Sequence, residues 1–267
     1  MTAMRLKRYP SPSGGLALGK MGVGATMLGG WKNPYVTNGL IAMWDGEWNA
    51  GPGKHDANAA NWKDCVNGKV ATFGGSYIIG QKGITVSEVI SAPLDVGETI
   101  AAAIRNGALT CEAVMIPRAV ETHMTPFRIT DANYESQILG YSFNNHHNAD
   151  IRVDVMGGLK QQGTTSNQGD VGWYSGYVQS IYLYISGKRF YSTIKCAKGS
   201  WKANSTSNFT PNSTAVGHFV FGGNWGSIDW APSKEYYCLR FYNRVLTTAE
   251  KNANKEVDVE RFGCVRW

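Results

Sequence analysis

From Tyr35 to the C-terminus, apolar residues recur at every second position in short runs separated by glycine, asparagine, proline and serine. That period of two reads as β-strand. Gly39–Gly46 is the first expected buried strand, followed by a polar, Gly-rich loop over 47–60. Further strands are expected at Lys69–Phe73, Tyr77–Ile79, Gly83–Val86, Thr110–Ile116, Met124–Thr130, Gln137–Phe143, Ile151–Val155, Gly172–Val178 and Phe219–Gly223. Thr99–Ile104 fits either a strand or a short helix. Ser180–Tyr191 is the clearest hairpin: Ile181, Leu183 and Ile185 share one face, and Ser186-Gly187 supplies the turn.

The last run organises the chain. Tyr237, Leu239 and Phe241 fall on one side of an extended segment, with Tyr236, Cys238, Arg240 and Tyr242 on the other. Asn243-Arg244 turns the chain, and Thr247-x-x-Glu250 is a capping box opening a helix with the apolar stripe Ala249, Ala253 and Val257.

This strand, turn and helix resemble the closing segment of concanavalin A-like jelly rolls of the laminin-G-like type, in which an "LRIYNRALTxxE" strand precedes a helix ending in "N…D…RF". The residues that match are Leu239–Thr247, Glu250, Asn254, Asp258 and Arg261-Phe262. Gly39–Asp45 is similar to the family's "GLv-x-W-x-D" strand and Trp62–Gly68 to its "W-x-D-x-S/T-G-N-G" turn. The 180–191 hairpin resembles its "lYvNG" motif and Phe219–Gly223 its "l-x-iGg" strand. The resemblance spans about residues 37–263 and implies an all-β, two-sheet antiparallel jelly-roll sandwich with a short C-terminal helix. Domains of this kind occur in phage structural proteins and bacterial surface proteins.

Composition suits that architecture. Charged residues are only 17% of the chain, against 32 glycines and 12% aromatics. No apolar run approaches the roughly 20 residues that span a bilayer. The five cysteines (Cys65, Cys111, Cys196, Cys238, Cys264) are scattered without CxxC spacing. They are expected to be mostly reduced, as in a reducing compartment.

Charge divides the chain in two. Residues 1–36 carry Arg5, Lys7, Arg8, Lys20 and Lys32 and no acidic residue, which accounts for most of the net +6. Glycines 14, 15, 19, 22 and 24, together with Lys20, interrupt the apolar core that a secretory signal needs. The expectation is a basic, Gly-rich arm over 1–36 and one jelly-roll domain over 37–267.

Candidate chemistry is sparse. Retaining glycosidases need two carboxyl groups about 5–5.5 Å apart, and the Glu-x-Asp-x-(x)-Glu signature of related β-glucanases is missing. Glu112 has no acidic neighbour along its strand, and Arg152 separates Asp150 from Asp154. His146-His147 lies in an Asn-rich loop. No catalytic residue is assigned, and the chain is expected not to be an enzyme. Asp45, Asp64, Asp131 and Asn133 offer oxygens to calcium, but no loop holds a dense acidic run. The expectation is therefore no cofactor and no metal. Loop tryptophans beside amides and carboxylates form the candidate glycan site: Asn224, Trp225, Asp229 and Trp230, with Trp48 and Trp201.

Together these features suggest a non-enzymatic virion protein, a fibre, tail or capsid-decoration component of a phage or prophage. Its arm would hold other virion proteins, and its jelly roll, in many copies and away from any membrane, would bind a host-surface glycan weakly. The alternatives are a secreted bacterial carbohydrate-binding module and a glycoside hydrolase.

Overall fold

The computed structural model describes residues 31–118, 124–144, 150–156, 161–163, 176–205, 208–223 and 234–266. The first strands are β1 (Leu40–Asp45), β2 (Asn61–Lys63), β3 (Val70–Phe73), β4 (Tyr77–Ile79), β5 (Ile84–Val86) and β6 (Ile90–Ser91). Helix α1 (Leu94–Arg105) follows, then β7 (Ala108–Pro117), β8 (Met124–Thr130), β9 (Gln137–Asn144), β10 (Asp150–Val155) and β11 (Gln161–Gly163). The chain continues through β12 (Gln179–Ser186), β13 (Arg189–Cys196), β14 (Gly199–Asn204), β15 (His218–Phe221) and β16 (Lys234–Tyr242) into α2 (Thr248–Phe262).

Two antiparallel sheets result. One runs β14-β13-β12-β7-β16-β5-β4, with β1 also on β16; the other runs β11-β10-β9-β8-β15-β6-β3-β2. β16 is the hub. One of its edges pairs with β7 along almost its full length, and the other is shared by β5 and β1. Between the sheets lies an aromatic core in which Trp44 meets Phe221 edge-on at 4.9 Å and Phe127 meets Phe241 at 5.7 Å. The two-sheet sandwich is the architecture expected from the sequence.

Four details settle or depart from expectation. Thr99–Ile104 belongs to α1, whose Val96, Ile100, Ala103 and Ile104 are buried one turn apart. A helical period therefore wins over the strand reading. The helix lies where β7 begins and β15 starts, with Gly97 against Val216 and Phe219 and the Arg105 guanidinium bonding the carbonyls of Asn212 and Thr214. The described part of the expected strand Gly172–Val178, residues 176–178, is a turn, and the pairing starts at Gln179.

A register shift between Tyr236 and Cys238 is the third difference. A bulge adds one residue to a strand and reverses its facing. Tyr236 consequently joins the inner core with Leu239 and Phe241, while Tyr237 lies outside, stacked on Phe262 at 5.3 Å. The last concerns the buried stripe of α2, which is Asn254, Asp258 and Phe262. Ala249 and Ala253 face solvent, because the surface beneath this helix is polar.

Packing begins at Trp31, ahead of the boundary drawn at residue 37. Trp31 meets Trp48 edge-on at 4.9 Å, and Tyr35 is buried with Met43, Val114, Cys238 and Phe262 on the outer face of the first sheet. All five cysteines are buried and free. Among the described residues no helix is long and apolar enough to cross a membrane.

The α2 cap has the full capping-box geometry. Glu250 N donates to Thr247 Oγ1 at 3.3 Å and Thr247 N to Glu250 Oε2 at 2.9 Å, while the Arg244 guanidinium bonds Glu250 Oε1 at 2.6 Å. Arg244 foremost holds the Glu250 carboxyl down at about 2, so the cap stays ionised above that pH. Thr247→Ala is expected to remove about 1 kcal/mol of stability. A thermal melt should register this as a fall of about 2–4 °C; an unchanged melting temperature would show that tertiary contacts alone fix the helix start.

Candidate functional site

Two of the regions with buried polar side chains are candidates for a site. Under α2, Arg240 reaches across the outer face of β16. Its Nε donates to Glu112 Oε2 at 2.9 Å, and its Nη1 and Nη2 donate to Asp258 at 2.7 Å each. The Asn254 amide donates to Glu112 at 2.7 Å and to the Tyr242 hydroxyl at 2.9 Å. Tyr35 donates its hydroxyl proton to Asp258 at 3.0 Å, and its ring lies beneath Arg240, 4.0 Å from the guanidinium carbon. Beside this network Arg261 forks onto Asp45, with bonds of 2.7 and 2.9 Å, bonds Glu47, and packs 3.7 Å from the Trp48 ring centre.

These contacts explain the "N…D…RF" motif. Asn254, Asp258, Arg261 and Phe262 clamp α2 and residues 31–36 onto the sheet. A shallow cleft between α2 and β12, lined by Glu112, Ser180, Tyr182, Lys251, Lys255 and Asp258, opens above the network. Both its carboxylates are engaged by Arg240, so the chemistry of this region is that of a structural clamp.

The second region lies at the end of the sandwich opposite α1. There β7 finishes at Pro117, which pairs with Lys234 at the start of β16, and β15 finishes at Phe221, which pairs with Phe127 of β8. Lys234 also pairs with Val86 at the end of β5. It shares its face with Tyr236, whose hydroxyl donates to the Pro126 carbonyl at 2.7 Å. The Lys234 side chain is 0% exposed, and its Nζ has no hydrogen-bond partner among the described residues. Burial alone pushes the amine down to about 7.

The end of the Lys234 side chain lies close against Gly222. A methyl group built there would lie 2.5 Å from Lys234 Cε and Nζ, and φ is +89°. Beyond it, the Gly223 carbonyl accepts from Thr125 N at 3.1 Å, and Thr125 Oγ1 is likewise buried without a partner among the described residues. Thr125 is thus held to Gly223 through its backbone, and Lys234 ends against Gly222. Arg118, nearby on the chain, is paired with Glu235.

The sequence-derived residues fall differently. Asn224, Trp225, Asp229 and Trp230 lie outside the described residues, but the stretch that carries them leaves Gly223 and returns at Lys234. The loop of His146-His147 also lies outside; it departs from Asn144 and returns at Asp150, paired strand ends on the same side of the sandwich as Met124. Trp201 is on β14. Trp48 is corrected: its ring is packed between Trp31 and Arg261, which makes it an anchor of the fold rather than an open sugar platform. Arg5, Lys7, Arg8 and Lys20 lie outside the described residues, and Lys32 is exposed.

The calcium candidates have other partners. Asp45 is held by Arg261 and accepts from Glu47 N; Asp64 accepts from Met43 N and Asn67 N; Asp131 accepts from Glu135 N. Asn133 is exposed. Among the described residues no group of three His, Cys, Asp or Glu is placed to hold a metal. Sequence reasoning passed over Lys234 and Thr125. By the alternation of Leu239 and Phe241, Lys234 has outward parity, and only the bulge between Tyr236 and Cys238 turns it inward.

No protein-family model matches the chain, and no curated protein matches it in sequence. Solved structures do match in fold. The Trypanosoma rangeli sialidase in complex with sialic acid aligns with a TM-score of 0.57 at 14% identity, over 84% of this chain and 33% of that one. The same sialidase with the inhibitor DANA gives 0.56 at 14%, over 82% and 33%. The binding domain of botulinum neurotoxin DC in complex with rat synaptotagmin II gives 0.54 at 8%, over 84% and 52%. The chain thus spans about a third of the sialidases' length and about half of the neurotoxin chain. One expectation is overturned. That the chain is not an enzyme was inferred from a missing glucanase signature, yet its fold recurs within sialidases, so the absent signature excludes nothing. The likeness itself is one of fold: a two-sheet antiparallel β-sandwich of the jelly-roll, concanavalin A-like type.

Proposed function

We propose that this chain is a carbohydrate-recognition sandwich carried on a larger assembly, and that its ligand surface is the Lys234 end, opposite α1. The observation that carries this reading is the buried, unpartnered Lys234 amine against Gly222. A stretch with two tryptophans, an asparagine and an aspartate sets out from there. Tryptophan faces stack on the apolar faces of sugars, and amides and carboxylates bond their hydroxyls. Two of the solved structures that share this fold are complexes, one with sialic acid and one with rat synaptotagmin II.

The basic segment is read as the attachment to the assembly, a virion in the reading the sequence favours. Since Trp31–Val36 packs on the sandwich, the attaching part is residues 1–30. Multiple copies would turn weak single-site binding into avidity. A secreted bacterial carbohydrate-binding protein would use the same surface.

A glycan panel tests the reading. Trp225→Ala and Trp230→Ala are each expected to weaken binding about tenfold, or about 1.4 kcal/mol, while thermal stability stays within about 0.5 kcal/mol. Trp48→Ala is expected instead to cost stability. Unchanged affinity in both loop variants, or a panel without a single binder, would sink the proposal. Monitoring the panel for released sugar checks glycoside hydrolysis at the same time.

A further inference from the structure

We infer that the outer face of β12, β13 and β14, together with the cleft between β12 and α2, binds a single nucleic-acid strand. This surface is separate from the Lys234 end and from the glycan reading placed there. Residues 171–228 contain no Asp or Glu but carry Lys188, Arg189, Lys195, Lys198 and Lys202. The three strands lie within that stretch and form one end of the first sheet. Ile181, Leu183, Phe190 and Ile194 face the core, so the alternate residues point outward. Cross-strand pairing sets Tyr182, Thr193 and Lys202 in one row and Tyr184, Tyr191 and Asn204 in the next. Arg189 and Lys195 lie beyond these rows on the same face, one at each end.

From the other side α2 contributes Lys251 and Lys255, one turn apart, which line the open cleft with Ser180 and Tyr182. Lys251 Nζ lies 4.4 Å from the centre of the Tyr182 ring. Burial foremost pushes the Lys251 amine down, and the neighbouring Lys202 ammonium adds to the fall against the pull of Glu112. Like charges gathered this closely favour an anion between them. The acids of the cleft do not supply it: Glu112 and Asp258 are committed to Arg240, and Glu256 of α2 is paired with Arg266. An acid-free row of cations suits a run of phosphates. The tyrosines narrow the choice. Tyr184 and Tyr191 are half-buried and stacked at 4.7 Å, 12° from parallel, and a base extends such a stack by one more flat π-face. Phosphates over lysines with bases over aromatic rings is how single strands are held without regard to sequence.

Fluorescence anisotropy of a labelled oligothymidylate, titrated with the full chain at several salt concentrations, tests this. Lys202→Gln combined with Lys251→Gln is expected to weaken binding about tenfold or more and to lower the slope of log affinity against log salt by about 1.4, at roughly 0.7 for each phosphate contact. Removing the same charge from exposed positions elsewhere, Lys54→Gln with Lys63→Gln, should leave affinity within about threefold. Tyr184→Leu should weaken binding several-fold. Lys202 is exposed, so Lys202→Gln alone carries the test if Lys251→Gln lowers the melting temperature. Affinity and slope unchanged in the face variants would place the strand elsewhere, as on the basic arm, and would overturn the inference. So would a sulfated oligosaccharide of equal charge that competes at parity, since the face would then read charge alone. A chain that fails to bind the strand even at low salt overturns it outright.

Discussion

Replacing Arg240 with methionine is expected to destabilise the domain by about 3–5 kcal/mol, the range for removing one partner of a buried ion pair. The guanidinium is 1% exposed and lies between two carboxylates, Glu112 and Asp258. Burial opposes its charge, but Asp258 and Glu112 together hold it well above the usual arginine range. Without it both acids would remain buried, and Tyr35 would lose the cation over its ring. Burial already raises the Glu112 carboxyl. Removing Arg240 would raise it further, so around pH 5 the folded variant would bind more protons than its unfolded chain. Stability of the variant should therefore recover as pH falls, since it varies with pH as protons bound unfolded minus protons bound folded. Urea unfolding at pH 7 and pH 5 checks both points. A loss under 1 kcal/mol at pH 7 would mean that the network does not hold α2.

Lys234→Met should act in the opposite direction, stabilising the fold by about 3–4 kcal/mol at pH 7. The wild-type amine sits near 7 when folded, against about 10.5 when unfolded. Between those values the unfolded chain holds a proton that the folded protein lacks, so wild-type stability rises with pH across the window. Methionine fills a similar shape without a charge. Its advantage should be largest at pH 7 and below and should fade toward pH 10. Chemical denaturation of the two proteins over pH 6–9.5 measures the difference. A destabilised variant, or a constant gap, would show that the amine has a partner in solution.

Sequence legibility followed local chemistry. The Thr247-x-x-Glu250 box and the Ser186-Gly187 turn each carry their geometry in a few neighbouring residues, and both are present; Gly187 takes φ +61°. The strand bounds Tyr77–Ile79 and Met124–Thr130 match the structure directly. What eluded the sequence needed a third dimension. One inserted residue between Tyr236 and Cys238 swapped the two tyrosines across the sheet. The polar stripe of α2 made no sense until Glu112 and Arg240, from β7 and β16, lay under it. Thr-Ile-Ala-Ala-Ala-Ile fits a strand or a helix equally well until β1, β7 and β15 surround it.

The site was half legible. Its tryptophans and acids are visible as a loop composition, while Lys234 looks like an ordinary surface lysine until Gly222 is brought against it. Trp48 looked equally open as a sugar platform, and only the fold shows Arg261 lying on its ring.

The most direct measurement locates the ligand. The tightest oligosaccharide from the panel is titrated into deuterated, ¹⁵N-labelled full-length chain, and the backbone amide shifts are mapped. Recognition at the Lys234 end predicts saturable shifts at Thr125, Phe221, Gly222, Gly223 and Lys234, with the α1 amides from Val96 to Ile104 unmoved. Shifts centred on α1, or on the cleft beneath α2 with Lys234 silent, would contradict it.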